Sequence, residues 1–164
     1  MDIIQRWFPK AKIMIDPFHI IQAISRELNK YRTQFMNSVR TKDERLYNKF
    51  KQYWKLILMK PEKLQSFTYH PFKLVEWLTN TQGIVDYLLD KDEMLKDTYY
   101  VVHGLGQAYR MKNWELFETT LQQASQRKLF SGLKRVLRTL KKYKDYIHNS
   151  FTYYRPYKWT VRRY

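Results

Sequence analysis

Apolar residues recur at spacings of three and four through most of this 164-residue chain. Over 17–39 they fall at Ile21, Ile24, Leu28, Tyr31, Phe35 and Val39, which is the buried stripe of one long helix. Leu46, Phe50, Tyr53 and Ile57 predict a second helix, which Thr41 and Glu44 can open as a capping box and Pro61 stops. Thr81 is a candidate cap for a helix carrying Ile84, Val85, Leu88 and Leu89. Asp92 can cap the next, with Leu95, Tyr99, Val102 and Tyr109 on one side; Gly104 and Gly106 lower its helix propensity or permit close packing. Trp114, Phe117, Leu121 and Ala124 mark another, and Ser131 can cap the last, which carries Leu133, Leu137, Leu140, Ile147 and Phe151. Residues 62–80 hold His70-Pro71 and several aromatics, follow no single period, and are expected to contain short helical turns.

The start of the chain reads differently. Residues 2–8 look like the tail of a helix, with Ile3, Ile4, Trp7 and Phe8 apolar, and Pro9-Lys10 turns the chain. The short apolar run 11–15 predicts a strand that ends in Asp16, and Pro17 then presets φ and opens the long helix. The expected fold is therefore mainly α, with one N-terminal strand plus about six helices. A lone strand cannot satisfy its own backbone groups or cover both faces. The chain accordingly reads as a fragment of a larger α/β domain whose partner strands are encoded upstream. No internal repeat or low-complexity linker interrupts it.

Composition narrows the class. Hydrophobic content of 44% supports a packed core rather than disorder, and only 4 Gly and 5 Pro favour long helices over many turns. The absence of Cys excludes disulfides and thiolate zinc sites and fits a reducing cytosol. No apolar run reaches the roughly 20 residues that a membrane span needs, and the N-terminus lacks the basic region of a secretion signal. The net charge of +16 favours a polyanionic partner, of which nucleic acid is the commonest. Its distribution is uneven: from residue 127 onward twelve Lys and Arg face the single acid Asp145, a net +11, whereas 76–97 holds six acids against Lys91 and Lys96.

Asp16 is the candidate for chemistry, and it has two readings. Asp before Pro at a helix start is a standard N-cap, because its oxygen accepts backbone N–H groups. A carboxylate at the tip of a strand is also where α/β proteins place acidic metal ligands. The surrounding Phe8-Pro9, Ala11, Ile13, Asp16-Pro17-Phe18-His19-Ile20 and Gln22 resemble the segment around the second catalytic aspartate of insertion-sequence transposases of the ISL-three type. The resemblance spans about 8–151, is densest over 8–22, and is supported weakly by Tyr53-Trp54-Lys55-Leu56 in the helical part. Pro17 departs from it, standing where the family carries a basic residue.

The resemblance implies a ribonuclease-H-like domain in which two Asp and one Glu hold Mg²⁺ or Mn²⁺. It also implies DNA transposition by metal-dependent phosphodiester cleavage and strand transfer at element ends, in a bacterial, cytoplasmic, nucleoid-associated protein able to form homo-oligomers. By the same resemblance, residues 1–152 would be a partial catalytic domain with its helical insertion at about 42–130. The first Asp and the final Glu have no counterpart here: 153–164 contains no Glu. Codons compatible with 158–164 can, shifted by one base, read through a Glu-Gly pair, so 153–164 is expected to be a frameshifted tail. With two of three carboxylates missing, the chain is expected to be inactive in cleavage.

Three further features carry alternatives. His19 is either a half-buried histidine of the first helical turn or a neighbour of the metal; the other histidines have no metal spacing. Trp54 is either core or a base-stacking residue. Lys134, Arg135, Arg138, Lys141, Lys142 and Lys144 surround the apolar stripe of the last helix. Such a face is commonly just solvated, but the near-absence of acids favours phosphate contact. The rival classes are a non-catalytic, basic helical nucleic-acid-binding protein and a helical interaction module with no nucleic-acid role.

Overall fold

A computed structural model describes Arg6, Trp7 and residues 10–153. Among these residues the chain forms seven α-helices: α1 (Pro17–Val39), α2 (Glu44–Leu58), α3 (Thr81–Leu89), α4 (Glu93–Arg110), α5 (Trp114–Gln123), α6 (Ser131–Lys142) and α7 (Lys144–Tyr153). Short 3₁₀ turns lie at Pro61–Lys63 and Ala124–Gln126. The expected mainly helical architecture holds, and the last expected helix is divided at Tyr143 into α6 and α7. The expected helical tail at 2–8 and the tail at 153–164 fall, apart from Arg6, Trp7 and Tyr153, outside the described residues.

The strand expected over 11–15 does not form. Among the described residues there is no sheet, and the one β-bridge pairs His70 with Thr79. A strand exists only through a ladder with a neighbour, and α7 takes the neighbour's place. Asn149 Nδ2 donates to the carbonyl of Ile13 at 3.0 Å, the amine of Lys12 lies 4.9 Å from the ring centre of Tyr153, and Ile15 packs against the core.

Helix α1 is the spine. It packs against α2, α4 and α6, while α4 also supports α3 and α5. The stripe residues Ile24 and Leu28 meet Phe50 and Ile57 of α2, Leu95 and Leu105 of α4, and Leu133 of α6 in one continuous core. An aromatic cluster fastens α7 to the end of α4 and to α5: Tyr109, Trp114, Phe117 and Phe151 stand with ring centres 4.4 to 5.4 Å apart. Edge-on and tilted aromatic pairs of this kind add roughly 0.5–1.5 kcal/mol beyond their burial.

Helix starts are mostly set by side-chain caps, which lie within two residues of the expected ones. Asp43 caps α2 through Leu46 N (2.9 Å), Asn80 caps α3 through Gly83 N (2.8 Å), and Asp92 caps α4 through Leu95 N (2.7 Å). Thr41 and Thr81 therefore do not cap; Thr81 binds Gln65 N instead (2.7 Å). α6 starts behind Phe130 with no side-chain cap. Asp92 also receives the hydroxyl of Tyr31 at 2.9 Å, which ties α1 to the start of α4. Burial and this carboxylate together push the Tyr31 hydroxyl up to about 12.

The 64–80 connection is irregular but held at several points. His70 and Thr79 exchange backbone bonds at 2.9 and 3.3 Å, Asn80 Nδ2 donates to Ser66 O at 3.0 Å, and the Tyr53 hydroxyl donates to Lys73 O. Among the described residues no helix is long and apolar enough to cross a membrane.

Candidate nucleic-acid interface and the Asp16 turn

Asp16 is the N-cap of α1. Its backbone is extended, and its Oδ1 accepts the N–H of Phe18 at 2.9 Å, with Pro17 in the first turn where a missing N–H is tolerated. Asp16 is only partly buried. Among the described residues no three His, Cys, Asp or Glu side chains come together as a possible ion site. Asp16 thus offers a single carboxylate with one oxygen already engaged, which does not amount to the cluster of two Asp and one Glu that the resemblance implies.

His19, one turn along, is exposed, and its ring meets Phe18 edge-on at 5.8 Å. It also borders an apolar groove of about 260 Å³ between the start of α1 and helices α6 and α7, with Ile15, Val136 and Tyr143 among its walls. The fold therefore brings Asp16 and His19 to the same end of the molecule as α6, which sequence spacing could not show.

Helix α6 presents its cations on one side. At 100° per residue, Lys134, Arg135, Arg138, Lys141 and Lys142 fall within an arc of about 120°, while Leu133, Leu137 and Leu140 are buried on the other side. All five cations are exposed. Among the described residues none of the five makes an ion pair, and the helix contains no acid. Their neighbours in sequence behave otherwise: Arg127 pairs with Asp97 at 2.8 Å, Lys128 with Glu93 at 3.2 Å, and Lys144 with Glu118. Part of the acid-rich 76–97 segment is thus consumed inside the molecule, by cations flanking α6. Lys134, Arg138 and Lys141 line one wall of an open groove of about 330 Å³, with Ala124, Ser125 and Leu129 opposite.

Trp54 is half-buried, and its ring lies 5.2 Å beneath the guanidinium of the buried Arg32. One of its faces is therefore taken by the protein's own cation.

A second basic cleft escaped the sequence reading. Arg45, Asn48 and Lys49 of α2 face Leu74, Val75 and Glu76 across a space of about 360 Å³. Lys49 and Arg45 lie on the polar flank of an ordinary amphipathic helix, and the opposite wall comes from a segment without periodicity. The available signal was the four-residue spacing of Arg45 and Lys49, which alone carries little weight.

A family model described as a transposase, of the DDE class and the ISL3 type, matches residues 1–157. No curated protein and no solved structure matches the chain.

Proposed function

The chain belongs to the ISL3-type family of DDE transposases, and on that premise we propose that it engages DNA through the cationic arc of α6 and carries in Asp16 the second of the family's acidic residues. In that reading 42–130 is the helical insertion that separates this aspartate from the family's final Glu. The supporting observation is that Lys134, Arg135, Arg138, Lys141 and Lys142 have no ion pair among the described residues, whereas the flanking Arg127, Lys128 and Lys144 are taken by acids. Five exposed cations on one arc repel one another, and a row of phosphates relieves that repulsion.

Divalent ions such as Mg²⁺ or Mn²⁺ activate the attacking oxygen and steady the leaving one in DDE cleavage. The described residues do not fit such a centre, and the part proposed for them is to hold DNA. Phosphate contacts fix register and orientation without reading bases. The rival reading, a basic helical binding protein with no cleavage in its lineage, shares the α6 arc but leaves Asp16 as a cap only.

Filter binding across a salt titration tests the DNA reading. Five phosphate contacts on duplex DNA give a log–log slope of about −4.5, and replacing Lys134, Arg138 and Lys141 together by Gln reduces its magnitude by about 3. A flat slope, or one the triple variant leaves unchanged, refutes the proposal. Supercoiled DNA incubated with Mn²⁺ is expected to stay uncut. Nicking that disappears in Asp16→Asn would show that the acidic ligands assemble in a way this arrangement does not provide.

A further inference from the structure

The cleft between α2 and the 73–77 turn has the makings of a second nucleic-acid site, unlike the α6 arc in kind. Lys49 is only 8% exposed, and among the described residues no carboxylate pairs with it. Its amine stands 5.3 Å from the ring centre of Trp77 and 5.0 Å from that of Tyr87. Aromatic faces compensate a cation only partly, and a buried ammonium without an anion is costly. The remaining direction for compensation is the cleft, which Lys49 lines with Arg45 and Asn48.

The opposite wall is built to stay in place. The Tyr53 hydroxyl holds the carbonyl of Lys73, and the His70–Thr79 bridge closes the connection beyond it. Leu74, within that wall, has φ of 64°. A bulky residue in the left-handed region is strained by roughly 1–3 kcal/mol, and such strain collects at functional sites. Trp77, the residue after Glu76, stands at the edge of the cleft, outside its lining; Lys49 and Tyr87 take part of its ring, and the side chain is still 40% exposed. Glu76 is the only acid among the cleft's lining residues. Its contact with Arg45 is 3.9 Å between two well-exposed side chains, which holds Arg45 weakly.

We propose that this cleft takes one unpaired nucleotide of a DNA single strand, with its phosphate against Lys49 and Arg45 and its base on the open part of Trp77. A duplex keeps its bases stacked and is too broad for a concave site of this size, whereas a single strand offers a base face and a phosphate together. The inference rests on the DNA-binding reading only for the identity of the polymer. Its residues are separate from those of α6.

Fluorescence anisotropy with a labelled oligo(dT) strand and with a duplex distinguishes the two sites. Lys49→Met and Trp77→Leu are expected to weaken oligo(dT) binding about tenfold and to leave duplex binding unchanged, while Trp77→Phe keeps most of the strand affinity. The Lys134, Arg138 and Lys141 triple Gln variant weakens both. Should Lys49→Met lose its cooperative melt, Arg45→Gln, at an exposed position, serves in its place with a smaller loss. Photo-cross-linking of a 5-iodouracil strand to the unaltered chain should label the peptide that contains Trp77. Wild-type strand affinity in Trp77→Leu, equal losses on strand and duplex, or cross-links confined to other peptides would overturn the cleft proposal. Loss of duplex binding alone in the α6 variant leaves the cleft proposal standing, and intact duplex binding there counts only against α6.

Discussion

The carboxylate of Glu27 occupies the space that a side chain at Gly132 would need. A β-carbon at Gly132 would stand 1.9 Å from Glu27 Oε2 and 2.7 Å from the ring of Phe130. Glu27 is buried, and its other oxygen takes the amine of Lys30 at 2.7 Å. The contact sets a negative charge beside the first turn of α6, a helix with no side-chain cap of its own. It therefore seats the helix that carries the proposed DNA face.

Gly132→Ala should accordingly destabilise the protein, although Ala is the better helix former by about 1 kcal/mol. Pushing Glu27 and Phe130 aside inside a packed interface costs about 1–3 kcal/mol. Urea unfolding measures the balance. A more stable Gly132→Ala would mean that α6 is not held against Glu27.

At Asp16 the cap and the proposed ligand role can be separated by substitution. Asp16→Ala removes the acceptor for Phe18 N and should lower stability by about 1 kcal/mol, while Asp16→Asn keeps the cap and should stay within about 0.5 kcal/mol of the parent. Thermal melts of the two variants decide it. Equal losses in both would show that the negative charge itself, rather than the cap, is what the fold uses there.

Asp92 serves two partners where Asp43 serves one. Asp92→Ala strips the cap of α4 and also leaves the partly buried Tyr31 hydroxyl without its acceptor. The expected cost is about 2–3 kcal/mol, against about 1 kcal/mol for Asp43→Ala. The Tyr31→Phe, Asp92→Ala double-mutant cycle should show a coupling; additive losses would mean the hydroxyl contact contributes nothing.

His103 supplies a pH dependence of known sign. Its Nε2 lies 2.9 Å from Ile57 O, the ring packs on Tyr99 at 4.3 Å, and burial lowers its pKa below the ordinary histidine value. The unfolded chain therefore takes up the proton first. Stability is full above about pH 6.5 and falls as pH drops through that value toward the folded pKa. Melting temperatures measured downward from neutral pH should decline more steeply in the parent than in His103→Gln. Parallel curves would show that His103 does not carry the decline.

Much of the helical framework was legible in the chain. The stripes at Ile24 and Leu28, at Phe50 and Ile57, and at Leu133 and Leu137 are set by spacing within one helix, and each became core. Caps were legible to within two residues: Asp92 lies where expected, whereas Asp43 and Asn80 displaced Thr41 and Thr81 because Asx side chains two and one positions away reach the orphan N–H groups. The run 11–15 misled because a strand needs a partner elsewhere, and among the described residues α7 stands there instead.

By itself the sequence determined the periodic helices, the place of Asp16 at a helix start and the crowding of positive charge toward α6, since each depends on residues close together along the chain. Tertiary structure decided which charges stay free and which surfaces face one another. Asp97, Glu93 and Glu118 neutralise Arg127, Lys128 and Lys144 across helices and, among the described residues, leave the α6 arc unpaired; Trp77 meets Lys49 across a loop; Glu27 meets Gly132 across the core. Those encounters join residues distant in sequence, and only the packing of helices around α1 brings them within reach of the short-range forces that make them count.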